Sequence, residues 1–357
     1  EDELLTSTEV ARLLRVHPKH LYRLLRQGLP GHRRGRGHWR FRRSEVLAWM
    51  DARGAGSSEP ELETELVASS LAEPSGLASS TRVVIGRVGE RWVAHALAPG
   101  STRSADGLAT LEDPSGHVRT SLLVPPTTLE ANVLVAGCAP VLGPVLDRVE
   151  RSGAGRAHWI PANSSTALRL LTEGRAHVAG IHLEDHEAGS DHAGLVRARL
   201  GPSAGLVRLV RWRAGLVLAP ALAGRTLDDL LEPAVRWAMR EPGSGAHAVL
   251  RRALERRGAS PAEATVTVVA PDHAAVARAV AMAVADVGVC IEPVARAHGL
   301  AFVPLTEEGF DLVVTRDGLA QPHVARLLRA LDDPLLRREI TALGSYDAAA
   351  LGHAVTP

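Results

Sequence analysis

Leu4-Leu5-Thr6-Ser7-Thr8-Glu9-Val10-Ala11-Arg12-Leu13-Leu14-Arg15-Val16-His17-Pro18-Lys19-His20-Leu21-Tyr22-Arg23-Leu24-Leu25-Arg26-Gln27-Gly28 begins the stretch, ending at Met50, from which the 357-residue chain is most directly read. Thr6 and Glu9 have the spacing of a capping box, so a helix starts at Ser7 with Val10, Ala11, Leu13 and Leu14 on one face. Arg15-Val16-His17 is a turn, and Pro18 suits the first position of a second helix. There Leu21, Leu24 and Leu25 form one stripe, while Lys19, Tyr22, Arg23 and Arg26 form the opposite one.

Gly28 ends that helix. Arg33-Arg34-Gly35-Arg36-Gly37-His38-Trp39-Arg40-Phe41 then reads as a hairpin with a basic tip. Ser44 caps a last helix, whose Val46, Leu47 and Trp49 return to the first two. From Arg12 to Arg43 there are eleven Lys or Arg and no Asp or Glu. Outside residues 1–53 the balance reverses to 29 basic against 34 acidic residues, so the formal net charge of +1 hides a basic head on a mildly acidic body. A single-sign patch of this density is the footprint of a polyanion. A leucine face backed by a basic, tyrosine-bearing face is what a helix in the DNA major groove needs.

Leu5-Thr6, Val10-Ala11, Leu14, Leu21-Tyr22-Arg23, Gly28, Trp39-Arg40 and Val46-Leu47 resemble the winged helix-turn-helix of the MerR/excisionase superfamily. His17-Pro18 stands where that family more often has a serine cap. The resemblance implies binding to double-stranded DNA, with Lys19, His20, Tyr22 and Arg23 facing the bases and Arg36 at the wing tip. Arg26, Arg33, Arg34 and Arg40 complete the expected surface. A homodimer on half-sites about one helical turn (~34 Å) apart would follow from two-fold symmetry.

Length allows two or three domains. Two cysteines, Cys138 and Cys290, cannot make a disulfide framework, and both read as small buried hydrophobes at strand ends. The chain opens Glu-Asp-Glu without a signal peptide, and its most apolar run, Ala274 to Ile291, is interrupted by Arg278 and Asp286. A cytoplasmic protein with no membrane association is expected.

The expected fold is multidomain. An all-α winged helix-turn-helix over residues 1–53 is followed by a linker over 54–81, rich in Gly, Ser, Pro and Glu. Within the linker, Leu62, Leu66, Val67 and Leu71 suggest a short acidic helix. A small β-rich connector spans 82–130, with a hairpin around Gly89 and a strand over Val118–Val124. Ala105-Asp106-Gly107-Leu108-Ala109 and Gly116-His117-Val118 resemble, over this short span, the C-terminal β domain of molybdopterin-molybdotransferase proteins. From Asn132 strands and helices alternate, and the pattern restarts at Ala234. The 131–350 segment therefore reads as an α/β domain of two lobes with parallel strands, joined by extended crossings at 206–218 and 300–314.

Val135-Ala136-Gly137-Cys138-Ala139-Pro140, Pro161-Ala162-Asn163-Ser164-Ser165, Ala176-His177-Val178-Ala179-Gly180, Pro242-Gly243-Ser244-Gly245, Ala285-Asp286-Val287-Gly288 and Leu343-Gly344-Ser345-Tyr346-Asp347 resemble the periplasmic-binding-protein-like (type II) domain related to molybdate-binding proteins. The resemblance implies lobes that close on a small ligand, with oxyanions such as molybdate or tungstate among the candidates. Ligands in open α/β sheets bind beyond the carboxyl ends of strands. That rule selects Cys138, Ala139, Asn163, Ser164 and His182 on one lobe, and Gly243, Ser244, Gly245 and Glu292 on the other. Helix starts at Asn163-Ser164 and Gly243-Ser244 offer amides to a tetrahedral anion, although serines there also serve as plain caps. Arg240 could add charge or pair with Glu241.

His182, Glu184, Asp185, His186, Asp191 and His192 read as a solvated loop without regular metal-ligand spacing. Asp272-His273 with Asp286 could be an acid–base set, but Asp286 better fits a turn. No catalytic residues, metal or cofactor are expected, the ligand aside. The expected function is a ligand-responsive DNA-binding transcriptional regulator. Its rivals are an excisionase-like or architectural factor with a non-sensing body, and a molybdenum-handling enzyme.

Overall fold

The computed structural model describes residues 3–14, 16–26, 28–34, 38–54, 61–67, 80–110, 117–182, 192–202, 204–232, 234–259 and 265–355. The chain divides into two compact units, Glu1–Glu61 and Leu62–Pro357.

The first unit runs β1 (Leu4–Thr6), α1 (Ser7–Leu13), α2 (Pro18–Arg26), β2 (His32–Arg34), β3 (His38–Arg42) and α3 (Arg43–Gly54). The Thr6 hydroxyl accepts from the Glu9 amide at 3.4 Å, and the Thr6 amide donates back to Glu9 Oε2 at 2.7 Å. The two orphan donors at the start of α1 are thereby satisfied. Gly28, at φ +89°, ends α2: its amide returns to Leu25 O and that of Leu29 to Leu24 O. Leu5, Val10, Leu21, Leu29, Phe41 and Val46 form the core. The expected all-α head is corrected here. β1 pairs with β3 as well as β2 with β3, giving a three-stranded antiparallel sheet, because Leu4-Leu5-Thr6 lies extended against Arg40–Arg42 before the helix cap.

The second unit opens with a closed five-stranded barrel. Its strands are β4 (Glu61–Val67), β5 (Thr81–Val88), β6 (Arg91–Ala96), β7 (Gly107–Thr110) and β8 (His117–Leu122). The acidic helix expected from Leu62 onward is instead β4. Glu61, Glu63 and Glu65 alternate with Leu62, Thr64 and Leu66, a period of two that places buried Thr64 and the two leucines toward the barrel core. The hairpin expected around Gly89 is β5–β6, with Gly89 at φ +61°.

A short helix α4 (Pro126–Leu129) leads into an eight-stranded mixed sheet. One lobe holds β9 (Val133–Gly137), α5 (Leu142–Arg151), β10 (Ala157–Pro161), α6 (Ser164–Thr172), β11 (Val178–Ile181) and α7 (His192–Leu200). The long strand β12 (Gly205–Leu218) crosses to the other lobe. That lobe holds β13 (Arg236–Arg240), α8 (Gly245–Glu255), β14 (Thr265–Ala270), α9 (His273–Ala281), β15 (Val287–Ile291) and α10 (Glu292–Ala297). β16 (Ala301–Val314) then returns, and α11 (Arg316–Leu319), α12 (Pro322–Ala330) and α13 (Pro334–Ala342) follow.

The strand order β10-β9-β11-β16-β12-β15-β13-β14 reads the same inward from either end, second-first-third strand of each lobe. Within each lobe the strands are parallel, as crossover helices require. β12 and β16 run antiparallel, so the sheet is mixed and passes unbroken from lobe to lobe. The extended crossing expected at 300–314 is one strand of 14 residues.

Apolar runs are buried on both faces of β9. Val133 and Val135 join the core with α5, α12 and α13, while Leu134 and Ala136 join that of α6. Each fully buried valine or leucine contributes about 1.5–3 kcal/mol. No helix among the described residues is long and apolar enough to cross a membrane.

Candidate functional site

On the head, α2 buries Leu21 and leaves Lys19, His20, Tyr22 and Arg23 exposed, Tyr22 at 62%. Arg33 is exposed, with its guanidinium carbon 5.9 Å from the Trp39 ring centre. Arg40 is half-buried and donates to Trp39 O at 3.0 Å. The side chains of Arg26 and Arg34, and all of Arg36, lie outside the described residues. Of the stripe predicted from the sequence, Lys19, Tyr22 and Arg23 thus face solvent on α2.

In the second unit the carboxyl ends of the lobe strands meet in a seam. Asn163 caps α6 by accepting from the Thr166 amide at 2.9 Å, and its Nδ2 crosses the seam to Glu241 Oε1 at 3.1 Å. The Ser165 amide donates to Gly243 O at 3.4 Å. Ser244 caps α8 through the His247 amide at 3.2 Å. Three of the amides at these two helix starts are therefore occupied, by caps or by the facing lobe. Buried Ser164 uses its hydroxyl to accept from the His182 amide at 3.1 Å. Gly245 has a steric role, because a Cβ there would lie 2.3 Å from His182 Cε1.

Behind these contacts sits a buried polar cluster. Cys138 Sγ, at the end of β9, lies 3.3 Å from His182 Nε2 and 3.9 Å from His273 Nε2 across the seam. Ala139 follows, fully buried. His182 Nδ1 is 3.0 Å from Glu308 Oε2, which also accepts from Trp212 Nε1 at 3.2 Å. Trp212 and Glu308 come from the crossing strands β12 and β16. Phe310 and Tyr346 border the Trp212 ring at 5.2 and 6.2 Å between centroids. Among the described residues, Glu308 Oε1, His273 Nδ1 and Arg240 Nη1 are buried with no hydrogen-bond partner.

Burial opposes a charge on His182, but Cys138 and Glu308 outweigh it and push its pKa up to about 10. Burial works to raise the Glu308 carboxyl, yet His182 and the bond from Trp212 hold it below the usual range. Burial, then Arg240 and His182, keep His273 neutral well below its ordinary value.

Arg240 is buried against Glu241, with Nε to Oε2 and Nη2 to Oε1 both at 2.9 Å, and donates to Ala270 O and Pro271 O. Glu292 does not join the cluster. Arg213 grips it at 2.6 Å through both Nε and Nη2, and Arg296 adds two more contacts, at 3.1 and 3.0 Å. It edges a surface recess of about 300 Å³ that Trp212 and Tyr346 also line.

The cysteine expectation holds for one residue only. Cys290 donates to Ile291 O, and burial pushes its thiol up. Cys138, by contrast, is the centre of the cluster. Asp272 caps α9 through the Ala275 amide, and Asp286 ties the Arg236 amide and guanidinium into a turn, so neither forms an acid–base set with His273. Residues 183–191, with Glu184, Asp185, His186 and Asp191, lie outside the described residues, as does the His192 side chain. The sequence reading missed Glu308 and Trp212, which lie inside long strands rather than at strand ends. His273 follows β14 where the strand-end rule would have found it.

A family model for a PBP superfamily domain matches residues 146–332, more than half of the chain. The chain belongs to the PBP superfamily. A helix-turn-helix domain model matches residues 4–54. The uncharacterized protein YvgK of Bacillus subtilis (strain 168) is 27% identical over 200 residues, which are 54% of this chain and 63% of that protein. The chain thus spans less than two thirds of that relative's length. An uncharacterized protein from the 5′ region of a 2Fe-2S ferredoxin gene of Clostridium pasteurianum is 29% identical over 85 residues, 24% of this chain and 75% of that one. Solved structures similar to it include PhnD1 of Prochlorococcus marinus (MIT 9301) in complex with methylphosphonate (TM-score 0.46, 12% identity, 62% of this chain and 93% of that one). The effector-binding domain of QuiR in complex with shikimate has a TM-score of 0.42 at 9% identity, over 56% of this chain and 94% of that one. The helix-turn-helix head implies DNA binding, and the PBP superfamily body suggests a small ligand.

Proposed function

We propose that the chain is a cytoplasmic, ligand-responsive transcriptional regulator. A winged helix-turn-helix of MerR/excisionase type reads duplex DNA through Lys19, His20, Tyr22 and Arg23. The lobed body closes on a small solute and alters the grip of the head. The observation that carries this reading is the joining, in one chain, of an exposed basic recognition surface on α2 and a seam whose two sides meet over buried polar groups. Coupling requires the solute to have different affinities for two states of the protein. The DNA-bound form is a two-fold dimer, since one short recognition helix reads too few bases.

An oxyanion, molybdate or tungstate, is the solute class that Arg240 supports. Its Nη1 is buried and unpartnered beside the starts of α8 and α9. Because three helix-start amides are already committed, anion entry displaces the Asn163–Glu241 bridge. Calorimetry of the full chain with molybdate, tungstate, sulfate and phosphate tests the ligand, and anisotropy on duplexes selected from a random pool tests the coupling. Affinity for DNA that no oxyanion changes would remove the anion-sensing reading. The direct hydrogen bonds across the seam favour a second reading, a DNA-binding factor with a non-sensing body, for which all four anions give no heat.

A further inference from the structure

We propose that Cys138, His182 and His273 form a binding site for a thiophilic transition metal ion of the zinc(II) class, which ties the two lobes together. The inference deepens the sensor reading by naming a second ligand class for the same seam. It rests on that reading only for the consequence of lobe closure, since all three ligands belong to the body.

The three donor atoms lie within 4.8 Å of one another and are buried. Zinc bonds of about 2.3 Å to sulfur and 2.0–2.1 Å to nitrogen place those two atoms roughly 3.6 Å apart at a tetrahedral angle. The observed separations, 3.3 Å to His182 Nε2 and 3.9 Å to His273 Nε2, bracket that value. The longer one is poor as a hydrogen bond, yet among the described residues it is the one polar contact of the buried His273 ring, whose Nδ1 has no partner there. A fully buried histidine aimed at a thiol without a good hydrogen bond is costly unless something else satisfies it.

The surroundings match what a metal-binding histidine needs. Glu308 Oε2 holds His182 Nδ1 at 3.0 Å and is itself fixed by Trp212, so the ring presents Nε2 toward Cys138. A carboxylate that orients the histidine from behind is the usual outer support of such a site. One thiol and two imidazoles select zinc(II) or copper(I) over magnesium or calcium, which want oxygen donors. Trp212 and Tyr346 line the surface recess, and the Trp212 ring lies 5.4 Å from that of His182 and 6.2 Å from that of Tyr346. On binding, the protons held on Cys138 Sγ and His182 Nε2 pass to solvent, and sulfur and both imidazole nitrogens donate lone pairs to the ion, with no change of oxidation state.

Cobalt(II) is the spectroscopic probe, added to the full reduced chain after chelator treatment. A thiolate-to-cobalt band saturating at one equivalent, displaced by zinc(II), is expected. Cys290→Ser keeps the band, and Cys138→Ser and His273→Ala remove it or weaken binding at least tenfold. Zinc(II) at a hundredfold excess over its Kd raises the unfolding midpoint of the parent by roughly 5 °C. Circular dichroism of the metal-free variants separates lost ligation from lost folding. The parent needs no variant to refute the idea, because absence of a thiolate band overturns it. So does a band that Cys290→Ser abolishes, or cobalt binding through nitrogen and oxygen donors alone, as residues 184–192 would give. A zinc site without effect on DNA affinity leaves this inference standing and removes the coupling instead.

Discussion

Asn163 Nδ2 on one lobe donates to Glu241 Oε1 on the other at 3.1 Å, and the same carboxylate oxygen accepts from Arg240 Nη2 at 2.9 Å. Glu241 therefore latches the seam and occupies the guanidinium an incoming anion would need. Glu241→Gln weakens both roles. Oxyanion affinity is expected to rise about tenfold, roughly 1.4 kcal/mol, as the competing charge is removed. Titration calorimetry with molybdate checks it, and unchanged or weaker binding would show that Arg240 is not the anion's partner.

Gly245 lets the start of α8 press against the His182 ring. A methyl group there meets His182 Cε1 at 2.3 Å and the His182 carbonyl at 2.7 Å, and the latter is backbone that cannot swing aside. Gly245→Ala is expected to hold the lobes apart, destabilising the domain by about 1–3 kcal/mol. Small-angle scattering should report a larger radius of gyration for the variant; identical curves would contradict this account of closure.

For the head, Arg23→Ala is expected to cost about 1–3 kcal/mol of DNA affinity if the side chain reads a base edge. If it contacts phosphate, the slope of log affinity against log salt falls by about 0.9. Fluorescence anisotropy from low to moderate salt separates the two cases. Arg36→Ala should act in the same sense, and parental binding by both variants would displace the DNA surface from α2 and the hairpin.

Two buried histidines join the barrel to the first lobe, and both are neutral in the fold. Burial lowers His95 to about 4, its Nε2 donating to Arg175 O at 2.7 Å. Burial lowers His177 to about 3; its Nδ1 accepts from the Leu134 amide, so Nε2 carries the proton and donates to Arg87 O. The unfolded chain binds these protons near pH 6.5 and the folded chain does not. Their stabilisation is whole above pH 6.5, falls as pH drops from 6.5 toward 4 and 3, by about 2 kcal/mol for each ring at pH 5, and levels off below those values. His95→Gln should flatten the decline. Urea midpoints from pH 7.5 to 4.5 test it, and parallel profiles for parent and variant would refute the assignment.

What the sequence disclosed follows from how local each signal is. Thr6, Glu9 and Gly28 act within a few residues of themselves, and the ends of α1 and α2 form as their spacing requires. The runs Val133–Gly137 and Val287–Ile291 are apolar on both faces, which is legible only as buried strand. Leu62 to Val67 misled because leucines four apart suit a helix, while the alternating glutamates that argue for a strand carry no hydrophobic signal. The polar cluster was half legible: Cys138 and His182 sit at strand ends where ligands are sought. Glu308 and Trp212 act from within β16 and β12, with Glu308 lying 126 positions from His182 and 96 from Trp212 in no local pattern, so their meeting depends on strand register alone.

β12 and β16 are paired along almost their whole length, with slips between Arg208 and Val210 and between Ala214 and Gly215. Lobes carried on such a ribbon have no slack tether to swing on. Any parting of the two halves must flex a hydrogen-bonded lattice about those two irregularities, so the motion is springy and self-restoring, and each half feels at once what strains the other.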